Sequence, residues 1–193
     1  MKAVVVYESM YGNTHLIADA IGAGLRECAE VVVVPVQEAD AALVGGADLL
    51  VVGGPTHAHG ISRTSTRKAA FDATHKEDSA LTADPDAEGL GLREWFASLP
   101  TLEMRAAAFD TRLDAPVVFT GRASKGIARA LRQHRCSLIA EPESFLVTKA
   151  TQLEPDEEAR AHRWGASLAA LPHTSGSAGE DDARAREDRV DAS

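Results

Sequence analysis

Short apolar runs alternate with amphipathic stretches along most of the chain. Continuous runs of apolar residues at 3–7, 31–34 and 49–52, the last of them preceded by Asp48 in the predicted strand 48–52, are typical of strands that are buried on both faces of a parallel sheet. Between the first two runs, apolar residues recur at helical spacing from about Asn13 to Glu27. That spacing places one set of side chains on the inner face of the helix: Leu16, Ile17, Ala20, Ile21 and Leu25. A short helix over 38–43 precedes the third strand, so residues 2–55 are predicted to form β-α-β-α-β.

The second half of the chain continues the alternation. A fourth strand is expected at 105–109, helices at 124–135 and 154–171, and a fifth strand at 136–147 that Glu141 and Pro142 interrupt. The short apolar stretch 117–119 fits either a strand extension or a turn packed on the core. Five strands that alternate with helices predict an α/β fold with an open, doubly wound parallel sheet.

Two segments depart from this alternation. Residues 62–91 are long, polar and poorly patterned apart from a possible turn or two around 68–73, so we expect an inserted loop or lid. A helix over 92–99 closes it, with Trp95 and Phe96 expected in the core. From residue 172 onward Ser, Gly, Asp, Glu and Arg replace apolar residues, which predicts one domain over 1–171 and a disordered acidic tail over 172–193.

Composition narrows the function classes. The 193 residues carry a net charge of −9, which disfavours a nucleic-acid partner because phosphate backbones need a basic footprint. No apolar run approaches the roughly 20 residues that span a bilayer, and the N-terminus begins with a strand rather than a signal peptide. Cys28 and Cys136 are expected to be core residues without a disulfide, in keeping with a cytoplasmic location.

Candidate chemistry begins directly after the first strand. Residues 9–14 (Ser-Met-Tyr-Gly-Asn-Thr) form a hydroxyl- and glycine-bearing turn that opens a helix. Such a turn presents several backbone N–H groups and the positive end of the helix dipole to one point, which suits a phosphate. No Lys or Arg lies between Glu8 and Thr14, so amides and hydroxyls would hold it. The alternative is that Ser9 or Asn13 simply caps the helix.

The loops after strands one, three and four are expected to meet. In open α/β sheets, ligands bind beyond the carboxyl ends of the strands at the topological switch point. The three loops are rich in Gly and hydroxyl residues here, which agrees with a shared binding site at that edge.

The turn at 9–14 resembles the FMN phosphate loop of flavodoxins, whose usual form is Ser/Thr-x-Thr-Gly-Asn-Thr. Tyr11 departs from that form and is similar to the Ser-x-Tyr-Gly loops of flavodoxin-like quinone reductases. The resemblance spans about residues 2–171 and implies a flavodoxin-like three-layer fold with strand order 2-1-3-4-5 and bound FMN. It implies that the phosphate is bound by the side chains of Ser9, Asn13 and Thr14 and the amides of Met10, Tyr11, Gly12 and Asn13.

The resemblance also assigns two loops to the flavin ring. The loop after strand three would lie along the ring and comprises Pro55, Thr56, His57, Ala58, His59 and Gly60. The loop after strand four would meet the ring's pyrimidine edge and comprises Phe109, Asp110, Thr111 and Arg112. His57 and His59 stand where flavodoxins often have Trp; they could donate a hydrogen bond or a proton, bind a metal, or face water. We expect no metal site and assign no catalytic residue.

Three cations follow the second loop at Arg63, Arg67 and Lys68. They belong either to a solvated loop or to a lid that binds an anionic group, such as a nicotinamide nucleotide phosphate or a carboxylate. Cations at Arg63, Arg67 or Arg112 would stabilise anionic reduced flavin and favour two-electron chemistry.

The sequence is therefore compatible with three functions. The first is a flavodoxin-like FMN protein that carries electrons between partners, either redox proteins or small-molecule acceptors. The second is an FMN-dependent oxidoreductase that takes hydride from NAD(P)H and passes it to a quinone or a similar acceptor. The third is a phosphate-responsive signalling domain without flavin, which needs an acidic cluster at the strand ends, where this chain offers only Glu8.

Overall fold

A parallel sheet with helices on both faces forms the centre of the molecule. The computed structural model describes residues 1–75, 81–87 and 89–171, so the predicted tail 172–193 lies outside the described residues. The strands are β1 (Lys2–Tyr7), β2 (Glu30–Pro35), β3 (Leu49–His57), β4 (Gly60–Ile61), β5 (Arg105–Leu113), β6 (Ser137–Leu138) and β7 (Glu143–Val147). The parallel order is β2-β1-β3-β5, with β6 and β7 both paired to β5 as two parts of one interrupted fifth strand. The predicted fold class and strand order are confirmed.

The helices cover the sheet on both sides. They are α1 (Asn13–Leu25), α2 (Ala41–Gly45), α3 (Thr64–Thr74), α4 (Leu92–Ser98), α5 (Val117–Thr120), α6 (Ala123–Gln133) and α7 (Glu157–Ala170). One buried cluster joins the sheet to α4 and α6, and a second joins the opposite face to α1 and α7. Trp95 and Phe96 lie in the first cluster, as expected. Among the described residues, no helix is both long and apolar enough to cross a membrane.

The third and fourth sequence strands are longer than predicted. The two strands stay paired beyond residue 52 of the third strand. Gly53 lies opposite Phe109, and Pro55 lies opposite Thr111. A Cβ atom on Gly53 would lie 2.0 Å from the Phe109 ring, so the glycine that suggested a loop instead makes room for an aromatic side chain in the core. The residues 53–57 and 109–113, predicted as loops, therefore belong to strands.

Three further sequence expectations are wrong. Leu16 is 48% exposed because the buried face of α1 consists of Ile17, Ala18, Ile21 and Leu25. Cys28 is exposed because it lies beyond the end of α1, whereas Cys136 is buried as expected. The stretch 117–119 is one exposed helical turn, α5, and not a strand extension or a turn packed on the core.

Helices α1 and α7 pack at very short range through two glycines. A Cβ atom on Gly24 would lie 2.0 Å from the carbonyl oxygen of His162, and one on Gly165 would lie 2.2 Å from that of Ile21. The glycines lower helix propensity, but they allow the two backbones to touch. This contact fixes α1, and with it the turn from which α1 starts, against the C-terminal helix.

Candidate functional site

The turn between β1 and α1 has the conformation that its glycine allows. Gly12 has a φ of 86°, a left-handed conformation that favours glycine, and its amide donates a hydrogen bond to Ser9 Oγ at 3.1 Å. No side chain caps the start of α1, so neither Ser9 nor Asn13 has the capping role considered from the sequence. The helix begins at Asn13, where the sequence placed it, and its first amides point towards the turn.

Side chains of the turn attach it to three other parts of the molecule. Asn13 Nδ2 donates to the carbonyl oxygen of Thr151 at 2.9 Å, and the hydroxyl oxygens of Thr14 and Thr111 lie 2.7 Å apart. The Tyr11 hydroxyl donates to the carbonyl oxygen of Ala70 in α3 at 3.1 Å. The turn is therefore braced by the segment after β7, by β5 and by α3.

A cavity of about 200 Å³ adjoins this turn at the carboxyl edge of the sheet. Nine of the residues predicted to bind the cofactor line it, and they come from all three predicted loops: Met10, Tyr11, Asn13, Thr14, Pro55, Thr56, His57, Thr111 and Arg112. The three segments thus converge at one place, as the topology of a doubly wound sheet requires.

Other predicted residues lie outside this cavity. Ser9 and Gly12 shape the turn itself, and Ala58 is an exposed residue with a φ of 44° in the β3–β4 hairpin. His59 and Gly60 line a different groove on the other side of that hairpin. The two histidines of the His-x-His pair therefore do not converge on a common site.

Phe109 and Asp110 also have structural roles. The Phe109 ring is fully buried and makes edge contacts with Phe145 and Trp164, with centroids 6.2 and 6.4 Å away. Asp110 is fully buried, and its Oδ2 accepts a hydrogen bond from the Ser124 amide at 2.7 Å near the start of α6. Neither residue lines the cavity. Successive residues of a strand point to opposite faces of the sheet, so Phe109 packs in the buried cluster beside α1 and α7, and Asp110 points to α6.

One wall of the cavity was not predicted from the sequence. It is formed by Leu113 at the end of β5, by Val147 at the end of β7, and by Thr148, Lys149 and Thr151 after β7. The topology offered a signal, since the fifth strand also ends at this edge of a parallel sheet. Glu141 and Pro142 interrupt this strand, so the sequence did not indicate that its second part, residues 143–147, reaches the site.

Two cations border the cavity. Lys149 lies in its wall, and Arg112 donates through Nη1 to the carbonyl oxygen of Ala115 at 2.9 Å. Arg112 Nε is buried and has no hydrogen-bond partner among the described residues. A buried guanidinium N–H without a partner is costly, and an anionic or carbonyl-bearing ligand would satisfy it.

Two titratable groups of the cavity, Tyr11 and His57, have displaced pKa values, and burial raises the pKa of Tyr11. Burial lowers the pKa of His57, and the nearby Arg67 guanidinium lowers it further. The imidazole is therefore neutral at pH 7, with one nitrogen able to donate and the other able to accept a hydrogen bond.

The cations of the 62–68 segment do not line the cavity. The Arg67 guanidinium is buried, with Nη1 3.3 Å from Glu94 Oε2 and 3.4 Å from Ser62 Oγ. Lys68 pairs with Asp72 on the same helix at 3.4 Å. Arg67 therefore acts on the site only through its charge near His57.

Glu8, the acidic residue at the end of β1, is already engaged. Ser62 Oγ donates to one of its carboxylate oxygens, and the Leu92 amide donates to the other at 2.8 Å. Glu8 is buried and joins β1 to both ends of the 62–91 segment. This arrangement leaves it unable to serve as a metal ligand or phosphate acceptor of a signalling domain.

A second charged cluster lies beside the turn. Ligand-type atoms of His15, Asp84 and Asp86 all lie within 4.8 Å of one another. His15 Nδ1 is 3.5 Å from Asp84 Oδ2, and the Tyr7 hydroxyl donates to Asp86 at 2.9 Å. Burial, followed by the Asp86 hydrogen bond, raises the pKa of Tyr7. The cluster attaches the segment 81–87 to β1 and α1.

The residues of the cavity fit a phosphate ester with a flat polar group. Turn amides and two cations suit the phosphate, and the closely paired backbones at Pro55 and Thr111 suit a flat ring. The volume of about 200 Å³ is below the roughly 300 Å³ usual for cofactor sites, so a ring would lie at the cavity's mouth.

Comparison with known proteins agrees with this geometry. A protein-family model described as flavodoxin matches residues 5–93. A comparison with curated protein sequences gave no significant match.

Solved structures extend the likeness to the whole fold. A flavodoxin from the domain Archaea is 23% identical over 88% of this chain and 96% of its own, with a TM-score of 0.59. Oxidised flavodoxin 1 from Bacillus cereus is 18% identical over 89% and 100%, with a TM-score of 0.60. A WrbA-like protein from Agrobacterium tumefaciens is 19% identical over 87% and 94%, with a TM-score of 0.55. At these identities the structural likeness establishes the fold.

Proposed function

Because the chain is flavodoxin-like, in sequence over residues 5–93 and in fold over most of its length, we propose that it is an FMN-binding redox protein that carries electrons between partners. The observation that carries this proposal is the convergence of the Ser9–Thr14 turn with β3, β5 and the segment after β7 around one cavity. A helix N-terminus alone would suit any phosphate, whereas this cavity also borders two strands that end in flat, closely paired backbone.

Each part of the cavity has a role in this proposal. The amides of the turn, with Thr14 and Asn13, hold the phosphate, and Lys149 neutralises part of its charge. Pro55 and Thr56 form the surface on which the ring lies, and neutral His57 presents a hydrogen-bonding nitrogen to it. The buried Nε of Arg112, which has no hydrogen-bond partner among the described residues, donates a hydrogen bond to the ligand. The flavin supplies the redox chemistry when it is bound.

The second candidate function is an FMN-dependent NAD(P)H:quinone-type oxidoreductase. The observation that favours it is the Arg112 guanidinium at the cavity, because positive charge near the ring stabilises the anionic form of reduced flavin. Arg67 does not favour it, since its guanidinium is paired with Glu94 and does not line the cavity. The electron carrier stays the first choice because no described residue of the cavity is specific for a nicotinamide nucleotide.

A flavin titration tests the proposal. We expect the full chain to bind FMN at micromolar or lower concentration, seen as a change in FMN fluorescence, and to bind riboflavin more weakly because it lacks the phosphate. Anaerobic reduction of the complex then separates the two functions. Two resolved one-electron steps support the carrier, and a single two-electron step driven by NADPH alone supports the oxidoreductase.

The result that overturns the proposal is equally specific. If the protein bound no FMN at micromolar concentration, the turn would have no role in FMN binding and would only connect β1 to α1. Equal affinity for FMN and riboflavin would show that the turn does not hold the phosphate.

A further inference from the structure

A second and larger cavity lies on the other side of the β3–β4 hairpin. It is an open groove of about 600 Å³ bounded by the hairpin, by α4 and by the length of α6. Thr56 and His57 of the hairpin face the first cavity, whereas His59, Gly60 and Ile61 face this groove. The Thr56 hydroxyl also accepts a hydrogen bond from the Ala123 amide at the start of α6 at 2.9 Å. One thin hairpin therefore separates two potential ligand sites.

The groove is basic in an acidic protein. Four side chains with permanent positive charge line it: Arg93, Arg122, Lys125 and Arg129. Two histidines, His59 and His134, also line it. Among the described residues, none that lines the groove is an Asp or Glu, although the chain has a net charge of −9. This segregation makes the groove attractive to a polyanion.

Two of the four cations are held in place by the protein. Arg93 donates through Nε to the Ser62 carbonyl oxygen at 2.8 Å and through Nη2 to that of Ile61 at 2.9 Å. Arg122 donates through Nε to Ser144 Oγ at 3.0 Å. Hydrogen bonds to neutral acceptors leave the positive charge of these guanidinium groups uncompensated.

The other two cations are free to bind a ligand. Lys125 and Arg129 lie one turn apart on the same face of α6, and both are exposed. Within the described part of the chain, neither side chain forms a hydrogen bond or an ion pair. Like charges at this spacing destabilise a helix. A bound anion would remove that repulsion.

The groove also has an apolar wall. Ile61, Phe96, Ala97 and Ala130 line it beside the charged groups. The Phe96 ring and the His134 imidazole are nearly parallel, with centroids 5.9 Å apart and an interplanar angle of 22°. A ligand that fits both features has a planar or apolar body and several negative charges.

We propose that this groove binds a phosphorylated nucleotide, with the phosphates at Lys125 and Arg129 and the base against the apolar wall. A volume of about 600 Å³ lies within the roughly 300–1,000 Å³ that is typical of small-molecule sites, which favours a nucleotide over a flat protein surface. The inference goes beyond the proposed function because none of its residues lines the flavin cavity.

Calorimetric titration of the full chain, loaded with FMN, tests the site. The probes are ADP, NADPH, inorganic pyrophosphate and adenosine. We expect ADP and NADPH to bind, adenosine to bind at least tenfold more weakly, and pyrophosphate to bind more weakly than ADP because it cannot use the apolar wall. Lys125→Ala combined with Arg129→Ala should weaken ADP binding at least tenfold.

Two matched controls separate a site from general electrostatic attraction. Arg132→Ala removes an exposed cation from the same helix but outside the groove, and it should change ADP affinity less than twofold. Ala97→Trp adds bulk at an exposed groove position without changing charge and should abolish ADP binding, whereas Ser98→Trp, next along α4, should not.

Three outcomes would overturn the inference. The first is that neither ADP nor NADPH binds. The second is that the Lys125 and Arg129 double variant binds ADP with unchanged affinity. The third is that pyrophosphate and ADP bind with equal affinity, which would show that the groove recognises phosphate alone. The same titration on protein without FMN keeps the two proposals separate. Nucleotide binding by a chain that fails to bind FMN would leave this inference intact and refute the proposed function.

Discussion

The hydroxyl oxygens of Thr14 and Thr111 lie 2.7 Å apart in a buried hydrogen bond, although 97 residues separate them in sequence. The bond joins the first turn of α1 to the end of β5. It therefore fixes the distance between the turn that we assign to the phosphate and the strand that borders the ring.

Replacing either threonine by valine should destabilise the fold, because the remaining hydroxyl stays buried without a partner. We expect Thr14→Val or Thr111→Val to lower the free energy of unfolding by about 1–3 kcal/mol, and the double variant to recover part of that loss. Urea denaturation of all four proteins measures the coupling. Strictly additive single effects would show that the two hydroxyls do not depend on each other.

Gly12→Ala should weaken FMN binding. Its φ of 86° is strained for alanine, while a Cβ atom there would meet only Asp84 Oδ2 at 3.8 Å, so strain and not a clash is the cause. A strain of about 1–3 kcal/mol corresponds to roughly a 5- to 150-fold loss of affinity if the turn relaxes on substitution. Fluorescence titration with FMN measures it. Gly45→Ala is the matched control, since nothing lies within 4 Å of a Cβ there and no positive φ is required; an equal loss in both variants would contradict the role of Gly12.

Lys149→Gln should distinguish FMN from riboflavin. If Lys149 neutralises the phosphate, its loss should weaken FMN binding by about 1 kcal/mol, roughly fivefold, and leave riboflavin binding unchanged. The effect should shrink at high ionic strength. Lys68→Gln, at an exposed residue paired with Asp72, serves as the control. An equal loss of affinity for FMN and riboflavin would show that Lys149 interacts with the ring and not with the phosphate.

The pH dependence of stability should report on His57. Because burial and then Arg67 lower its pKa in the folded protein, the unfolded chain takes up a proton first, at about pH 6.5. The stability that neutral His57 contributes is present above that pH and is lost as the pH falls through the folded-state pKa. We expect His57→Gln to flatten this part of the profile, measured by urea denaturation at several pH values. An unchanged slope would show that His57 titrates alike in both states.

Much of the fold follows from local patterns in the sequence. The Val- and Leu-rich runs predict three of the strands, β1, β2 and β3, and the start of α1 at Asn13 follows from the turn before it. Burial on both faces explains the runs of β1 and β3, whereas β2 lies at the sheet edge with Val32 39% exposed. The extension of β3 could not be predicted in this way. Gly53 breaks the local pattern, and only its partner Phe109, 56 positions away in the sequence, explains it.

The site was predictable where one segment carries its own signal. The turn at residues 9–14 does so, because its glycine and hydroxyl residues are contiguous. Lys149 does not, since its role depends on which part of an interrupted strand reaches the edge of the sheet. The basic groove was harder still to predict from the sequence. Its cations come from α6 and from Arg93 of α4, and only the packing of both helices on the same face of the sheet brings them together.

The close packing of α1 and α7 at Gly24 and Gly165 has a consequence for the order of events during biosynthesis. The turn at residues 9–14 is synthesised before both of its supports, because its helix packs against α7 and Asn13 donates to Thr151. Chains are synthesised from the N-terminus at about 5–20 residues per second, so Thr151 and α7 follow the turn by several seconds. The turn is therefore completed only after α7 has been made, and a ligand that needs the finished turn is expected to bind after that point.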